Sequence, residues 1–207
     1  MYLTELAHIS TGTYAPAQPV PDGTEPPPGA VTYLQLSEFD EDGQRLASEP
    51  GAYLQPDTPP AATSLLTASS LLLSARGGRL FAVLVEEAWL PAVAANNFFV
   101  LEVAAPDCLP AFLLMLLNLP DTKVRLRSRL GGTTQVNINK RDLLDFEPLP
   151  SGVSLPPLPQ QQFLADLYQL WLREKNLTLR YLAERETYLT SRLTDLLKSP
   201  QHIPSQE

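Results

Sequence analysis

The sequence predicts an α+β protein: a globular domain with a mixed or antiparallel sheet and short helices, followed by one long C-terminal coiled-coil helix. Short runs of β-branched and aromatic residues, bounded by Gly and Pro, fill the first part of the chain. From Gln160 to Lys198 there is neither Pro nor Gly, and apolar residues recur at three and four positions. We therefore assign residues 1–157 to the domain, 158–198 to the helix and 199–207 to a polar tail.

The predicted strands lie in the N-terminal domain. Tyr2 to Ile9 alternates roughly between apolar and polar residues, and Val31 to Leu36 is rich in β-branched and aromatic residues. Leu71 to Val85 predicts a strand, a tight turn and a second strand, with Arg76 and Arg79 at the turn. The apolar run within Ala92 to Val103 predicts a buried strand.

Two further segments precede the long helix. Leu109 to Leu117 predicts an apolar helix of the core. Asp121 to Leu130 is compatible with two structures, because its cations alternate as in a strand but also suit a short cationic helix capped by Asp121. After Asp142 the chain becomes proline-rich, and Pro159 lies where a helix can begin.

The long helix carries an apolar stripe. About 39 residues at ~1.5 Å each would form a rod of about 58 Å. A helix of this length that is apolar on one side needs a partner. Although Glu174 and Glu184 interrupt a strict heptad, pairing with a second copy is favoured over folding back onto the domain. The predicted homodimer residues are Phe163, Leu167, Leu170, Leu177, Tyr181 and Tyr188.

Charge is distributed unevenly along the chain. The formal net charge is -8, which by itself argues against a nucleic-acid partner. Residues 1–122 carry a net charge of -11, whereas residues 123–141 contain six bases and no acid. This basic segment surrounds the Gly131-Gly132 pair, which permits a tight turn and close backbone approach. A basic island on an acidic body can bind phosphates locally, with strong salt dependence.

Other classes of function find little support. Cys108 is the only cysteine, so no internal disulfide framework exists and a reduced, cytoplasmic setting is expected. We predict no signal peptide and no membrane span, because Leu109 to Leu119 is too short and contains Pro110. No nucleophile motif, phosphate loop or paired-cysteine metal site is present, so no catalytic residue, metal or cofactor is predicted.

Several ordered motifs resemble one family, the specificity subunits of type I restriction-modification systems. The motifs, with this chain's numbers, are Leu3-Thr-Glu-Leu6 with Ile9-Ser-Thr-Gly12; Tyr33-Leu-Gln-Leu36 with Gly43; Leu72 to Gly78; Gly132-Thr-Thr-Gln135 with Asn137-Ile138, Leu143 and Pro148-Leu-Pro150; and Pro157-Leu158 with Gln160-Gln161 before a long helix. The resemblance runs from Leu3 to about Leu197.

The resemblance implies a target-recognition domain that reads double-stranded DNA and a helix that docks a methyltransferase subunit, with or without a restriction subunit. Family members usually carry two domains and two helices, so this chain, with one of each, resembles a half-subunit that would pair with itself. It departs from the family at Ser69-Ser70, where Gly-Asp is common, and in its acidity.

The DNA-binding candidates combine the resemblance with residue chemistry. Arg can contact phosphate or guanine, and Asn and Gln can pair with adenine. The candidates are Thr11, Thr13, Tyr14, Arg76, Arg79, Lys123, Arg125, Arg127, Arg129, Thr133, Thr134, Gln135, Asn137, Asn139, Lys140 and Arg141. Turn capping by Thr133 to Gln135 and a solvated strand face for Asn137 and Asn139 are equally compatible with the sequence.

Two other functions stay open. The acidic N-terminal part also suits a non-catalytic interaction or regulatory protein that binds a methyltransferase or specificity subunit through the helix without reading DNA. A nucleic-acid hydrolase is the third alternative, although no polar constellation for it can be assembled from the sequence.

Overall fold

The structure is a computed structural model that describes residues 1–20, 26–40, 42–46, 51–55, 60–74, 76–129 and 136–198. The chain forms two compact units, Met1–Ala165 and Asp166–Glu207. The predicted polar tail, 199–207, lies outside the described residues. No helix of the described ranges combines the length and apolar character needed to cross a membrane.

The described elements form the α+β architecture that the sequence predicts. The strands are β1 Ala7–Thr11, β2 Gln18–Pro19, β3 Val31–Leu34, β4 Ala52–Leu54, β5 Leu71–Ser74, β6 Arg76–Gly77, β7 Ala82–Leu84, β8 Ala92–Ala94, β9 Phe98–Val103 and β10 Val136–Asn137. The α-helices are α1 Leu3–Leu6, α2 Pro110–Asn118, α3 Pro120–Ser128, α4 Lys140–Leu144 and α5 Leu158–Lys198. Short 3-10 turns occur at Leu36–Glu38, Ala62–Ser64 and Glu87–Trp89.

The strands build two four-stranded sheets and one small ribbon. Sheet 1 has the order β1-β9-β5-β7 and is antiparallel throughout. Sheet 2 has the order β2-β4-β3-β8, in which β3 and β8 run parallel and the other pairs antiparallel. Strands β6 and β10 pair antiparallel as a separate ribbon.

Sheet 1 is the middle layer of the first unit, and its inner strands β5 and β9 are largely buried on both faces. Leu71 and Leu73 belong to a core shared with α1, α2, α3 and α4, whereas Leu72 between them belongs to a second core shared with sheet 2. Because strand side chains alternate between faces, a strand buried on both sides needs an unbroken apolar run. This requirement explains why Leu71-Leu72-Leu73 and Phe98 to Leu101 contain no polar residue.

An aromatic cluster fills the core between the two sheets. The fully buried ring of Phe39 lies 5.8 Å from Phe98 and 5.9 Å from both Phe81 and Trp89, measured between ring centroids. These separations, and the steep angles with Trp89 and Phe98, suit aromatic pairs that contact edge to face. Phe39 thereby fixes the segment after β3 against sheet 1.

A buried ion pair lies in the same region. The carboxylate of Glu38 is 3.9 Å from the guanidinium of Arg45, which lies over the ring of Trp89. Burial raises the pKa of Glu38, although the backbone N–H of Gly51 and the charge of Arg45 oppose that shift. The carboxylate is therefore harder to ionise in the folded protein than in solution.

The structure corrects one local prediction and decides between two alternatives that the sequence left open. Tyr2 to Ile9 does not form one extended segment, because Leu3–Leu6 is a helical turn that precedes β1. Asp121 to Leu130 is helical rather than extended over Pro120–Ser128, but its N-cap is Leu119 and Asp121 lies within the first turn. Leu119 has an extended conformation that the following proline favours, so α2 ends there and α3 begins anew.

The long helix is present, from Leu158 to Lys198, with Pro159 in its first turn. Its first turns belong to the first unit, where the fully buried Gln161 holds three backbone groups. Its amide donates to the carbonyls of Asp107 and Pro156, at 2.6 and 2.7 Å, and its carbonyl accepts from the N–H of Leu109 at 2.9 Å. This side chain joins the start of α5 to the start of α2.

Two chain segments cross between the sheets side by side. One leaves β1 through Gly12 and Thr13, and the other runs from β8 through Ala95 to Phe98, with Thr13 and Ala95 paired in parallel. Gly12 donates to the carbonyl of Phe98 at 2.9 Å, and Thr13 to that of Ala94 at 2.8 Å. A Cβ on Gly12 would lie 2.1 Å from the carbonyl oxygen of Ala95, so only glycine fits at this position.

We expect Gly12→Ala to destabilise the domain by at least about 3 kcal/mol, because backbone on both segments must move to relieve the clash. Gly78→Ala is the matched control, since its added Cβ meets no atom within 4 Å. Urea unfolding of both variants and the wild type measures the difference. Equal stability of the two variants would contradict the close crossing.

Candidate nucleic-acid interface

Several of the predicted DNA-binding residues meet at one end of sheet 1. The strand register aligns the end of β1, the start of β9, the end of β5 and the start of β7, with Thr11 and Leu73 both opposite Phe99. The segment Gly12–Tyr14 leaves the sheet there. The β6–β10 ribbon follows β5 at the same end, and the turn Ala95–Phe98 enters β9 there.

The segment after β1 is held firmly but leaves one side chain in solvent. The hydroxyl of Tyr33 donates to the carbonyl of Thr13 at 2.9 Å, and burial raises the pKa of Tyr33. Tyr14 is 85% exposed, which is unusual for a tyrosine in a segment with so many backbone contacts. This exposed ring is available to a ligand without any change in the backbone.

The ribbon joins two sequence motifs that are sixty residues apart. Arg76 pairs with Asn137 and Gly77 with Val136, so the predicted turn at Arg76 and the run after the Gly-Gly segment form one small structure. The side chain of Arg76 is exposed. Leu130 to Gln135 lie outside the described residues, and Thr133, Thr134 and Gln135 therefore stay predictions.

Asn139 begins helix α4 and is not part of a strand. The carboxylate of Asp142 accepts the backbone N–H of Asn139 at 2.8 Å, as in a capping box. Lys140 and Arg141 follow in the first turn with exposed side chains. Helix capping alone accounts for an Asn at position 139, so no role in DNA binding is needed to explain it. Lys140 and Arg141 take no part in the cap.

Arg125 is used inside the fold. Its guanidinium donates to the carbonyls of Glu147 and Pro148, at 2.5 and 2.9 Å, and to the carboxylate of Asp121 at 2.9 Å. It also lies 5.5 Å from the centre of the buried ring of Phe146. The arginine thus joins α3 to the chain that follows α4.

Arg79 has a similar internal role. Its guanidinium donates to the carbonyls of Phe39 and Leu36, the latter at 2.9 Å, and so closes the 3-10 turn Leu36–Glu38. Neither Arg79 nor Arg125 presents a free guanidinium to solvent. The predicted cationic turn therefore contributes Arg76 alone to the surface.

The remaining cations of α3 differ in their surroundings. Arg129 lies over the Phe146 ring at 5.4 Å but is largely exposed, and Arg127 is exposed as well. Lys123 is half-buried and has an electrostatic or hydrogen-bonding partner. The exposed positive charge of this region is thus carried by Arg127, Arg129, Lys140 and Arg141.

Two side chains of the described residues that could act as nucleophiles, Ser70 and Cys108, lie inside the fold. Ser70 is fully buried and donates directly to the carboxylate of Glu102. Cys108 is buried, and burial beside Asp107 raises its pKa to about 11, which keeps the thiol protonated. Among the described residues, no three His, Cys, Asp or Glu side chains cluster as metal ligands would.

Helix α5 exposes two apolar stripes rather than one. All six predicted homodimer residues are exposed, each by more than half. At about 100° per residue they fall on one face, and a second exposed set lies about 110° away around the helix. This second stripe consists of Trp171, Leu179, Leu182, Leu189, Leu193, Leu196 and Leu197.

The fold is that of proteins from type I restriction-modification systems. One solved structure, described as the "structural basis underlying complex assembly and conformational transition of the type I R-M system", aligns with a TM-score of 0.63 and 18% identity over 95% of this chain. A second is the HsdS subunit from Thermoanaerobacter tengcongensis, with a TM-score of 0.59 and 17% identity over 96% of this chain. No family model and no curated protein matches the sequence.

The alignments cover nearly all of this chain but less than half of each solved structure. This chain spans 44% of the first structure and 43% of the second, so it corresponds to less than half of either. The resemblance seen in the sequence is thus confirmed at the level of the fold, where one α+β domain and one long helix match the HsdS architecture.

We expect Arg125→Ala to lower the free energy of unfolding by about 1–3 kcal/mol, because the carbonyls of Glu147 and Pro148 lose a charged donor. Arg127→Ala, two residues along the same helix and exposed, should change it by less than about 0.5 kcal/mol. Chemical denaturation of both variants at neutral pH provides the measurement. If the Arg127 variant were destabilised and the Arg125 variant were not, the internal role of Arg125 and the surface position of Arg127 would both be contradicted.

Proposed function

We propose that this protein is a non-catalytic, sequence-specific DNA-binding subunit of a type I-like restriction-modification system, acting in the cytoplasm. The observation that carries the proposal is the pair of alignments, which match nearly all of this chain to less than half of HsdS-like structures. One recognition domain and one helix would then guide a methyltransferase subunit, with or without a restriction subunit, to its DNA site.

In this proposal the exposed cations bind phosphates and the polar residues at the end of sheet 1 read bases. Arg76, Arg127, Arg129, Lys140 and Arg141 are the phosphate contacts. Thr11, Thr13, Tyr14 and Asn137 lie at or lead from the sheet end, and the predicted residues Thr133 to Gln135 complete the set. We leave Arg79 and Arg125 out, because moving either guanidinium to DNA would strand the carbonyls that it now serves.

The acidic character of the first part of the chain fits this division. Residues 1–122 carry a net charge of -11 and would repel a duplex, whereas the basic segment attracts it. The repulsion costs affinity but restricts binding to one orientation. A binding mode of this kind should be weak for a single domain and strongly dependent on salt.

We further propose that α5 pairs with α5 of a second copy through the stripe of Phe163, Leu167, Leu170, Leu177, Tyr181 and Tyr188. Exposed leucines and tyrosines at this spacing are the pattern of a helix that lacks its partner. The pair would bring two recognition domains into one assembly. The second stripe then remains available to the methyltransferase.

A second candidate function is an interaction protein on the same scaffold that binds a methyltransferase or specificity subunit through α5 but does not read DNA. The specific observation in its favour is the net charge of -11 over residues 1–122. The two functions differ in one respect, which is whether the assembled protein prefers one duplex sequence.

The DNA-binding function predicts that the protein, assembled with a type I methyltransferase subunit, enriches one duplex sequence from a random library. The logarithm of its binding constant should fall linearly with the logarithm of salt concentration, and Arg127→Ala should reduce the magnitude of that slope by about 0.9, the loss of one phosphate contact. Glu184→Gln, a charge change in α5, is the control and should leave the slope unchanged. Absence of any enriched sequence would rule out this function and leave the interaction protein.

The helix-pairing proposal predicts different effects for the two stripes. Leu170→Glu should convert a dimer to a monomer, because it places a charge in the buried seam. Leu189→Glu on the second stripe should keep the dimer but lose the methyltransferase. Light scattering and co-purification, respectively, test the two outcomes. A monomeric wild type, or a Leu170→Glu variant that stays dimeric, would contradict pairing through this face.

A further inference from the structure

A turn of two asparagines lies beside the exposed tyrosine at the end of sheet 1. Asn96 and Asn97 occupy the centre of the turn Ala95–Phe98, which is closed by the N–H of Phe98 donating to the carbonyl of Ala95 at 3.0 Å. The turn carries the chain from sheet 2 to sheet 1. Neither asparagine is among the DNA-binding residues predicted from the sequence.

The backbone does not explain the choice of asparagine. Asn is common in turns because it tolerates positive φ, but Gly alone has positive φ among the described residues. The carbonyl oxygen of the Asn97 side chain is buried without a hydrogen-bond partner. As whole residues, Asn96 and Asn97 are both half-buried. They differ in that the side-chain acceptor of Asn97 faces the protein, so Asn96 is the one of the two whose amide can reach a ligand.

The turn is held rigidly beside Tyr14. Thr13 pairs with Ala95, its N–H binds the carbonyl of Ala94, and Gly12 binds that of Phe98. Because Thr13 and Ala95 are paired in parallel, the residues that follow them, Tyr14 and Asn96, lie on neighbouring segments. A side chain that is fixed by its surrounding backbone loses little conformational entropy when it binds.

Building on the proposed DNA-binding function, we propose that Asn96 is a specificity-determining residue that pairs with the edge of an adenine, with Tyr14 beside it as a packing contact. An asparagine amide donates to N7 and accepts from N6 of adenine in the major groove, and no other base offers that pair. A rigid turn between two sheets presents this amide in one orientation. The inference adds a base-reading element outside the basic segment.

The test uses the full chain, assembled with a type I methyltransferase subunit, with a random duplex library and compares base preferences. Asn96→Ala should lose the preference for adenine at one position, by between roughly fivefold and a hundredfold, while affinity for unrelated duplex stays within twofold. Asn97→Ala should retain the wild-type preference, even if its stability changes. The free energy of unfolding of the Asn96 variant should match that of the wild type, because its side chain lies on a half-exposed turn.

The outcomes separate this inference from the proposed function. A wild type that selects a sequence and an Asn96→Ala variant with an identical profile would overturn the role of Asn96 and leave DNA recognition intact. Equal loss of preference in both asparagine variants would also overturn it, since the effect would belong to the turn. A wild type without any sequence preference would overturn the proposed function itself.

Discussion

The first unit depends on the contact between two chain segments that cross from one sheet to the other. The exit of β1 and the entry of β9 lie so close that a methyl group at Gly12 would meet the carbonyl of Ala95 at 2.1 Å. Hydrogen bonds from Gly12 and Thr13 then fix the separation. The end of β1 and the start of β9 in sheet 1 meet the end of β8 in sheet 2 at this crossing. The crossing therefore positions both the core between the two sheets and the residues that lie beyond the end of sheet 1. Loss of the glycine would disturb packing and presentation together.

Polar side chains secure the rest of the unit by binding backbone groups that strands and helices leave unpaired. The amide of Asn118 accepts from the N–H of Ala82 and donates to its carbonyl, at 3.0 and 2.8 Å, and so acts as a strand partner. Gln161, Arg79 and Arg125 serve other segments in the same way. A buried backbone group without a partner costs about as much as a lost hydrogen bond, so these side chains are not free to leave. Internal use of a polar residue therefore competes with its use in binding.

Burial explains which elements could be predicted from the sequence, and the internal use of polar side chains explains what could not be predicted. Periodicity was enough for α2, the long helix and the buried strands, because burial on both faces demands continuous apolar runs such as Leu71 to Leu73. Periodicity does not reveal the internal hydrogen bonds of Arg79 and Arg125, because their partners Leu36, Glu147 and Pro148 lie more than twenty residues away. The cations from Lys123 to Arg129 left a strand and a short helix both open, and the structure shows the helix, which starts at the proline after Leu119. The role proposed for the asparagine turn could not be inferred from the sequence, because it rests on the neighbouring position of Tyr14, eighty residues earlier in the chain.

The small number of exposed cations has a consequence for how such a domain could function. Arg76, Arg127, Arg129, Lys140 and Arg141 offer few phosphate contacts on a chain with a net charge of -8, so one domain alone should bind weakly. Two domains joined by paired α5 helices would bind the same duplex with the second contact made intramolecular, which raises the overall affinity by a factor of about 10²–10⁴ without new contacts. If the proposed pairing through the helix occurs, it would therefore do more than assemble two copies. Under this proposal it supplies the affinity that the acidic body removes, and sequence recognition would require the dimer.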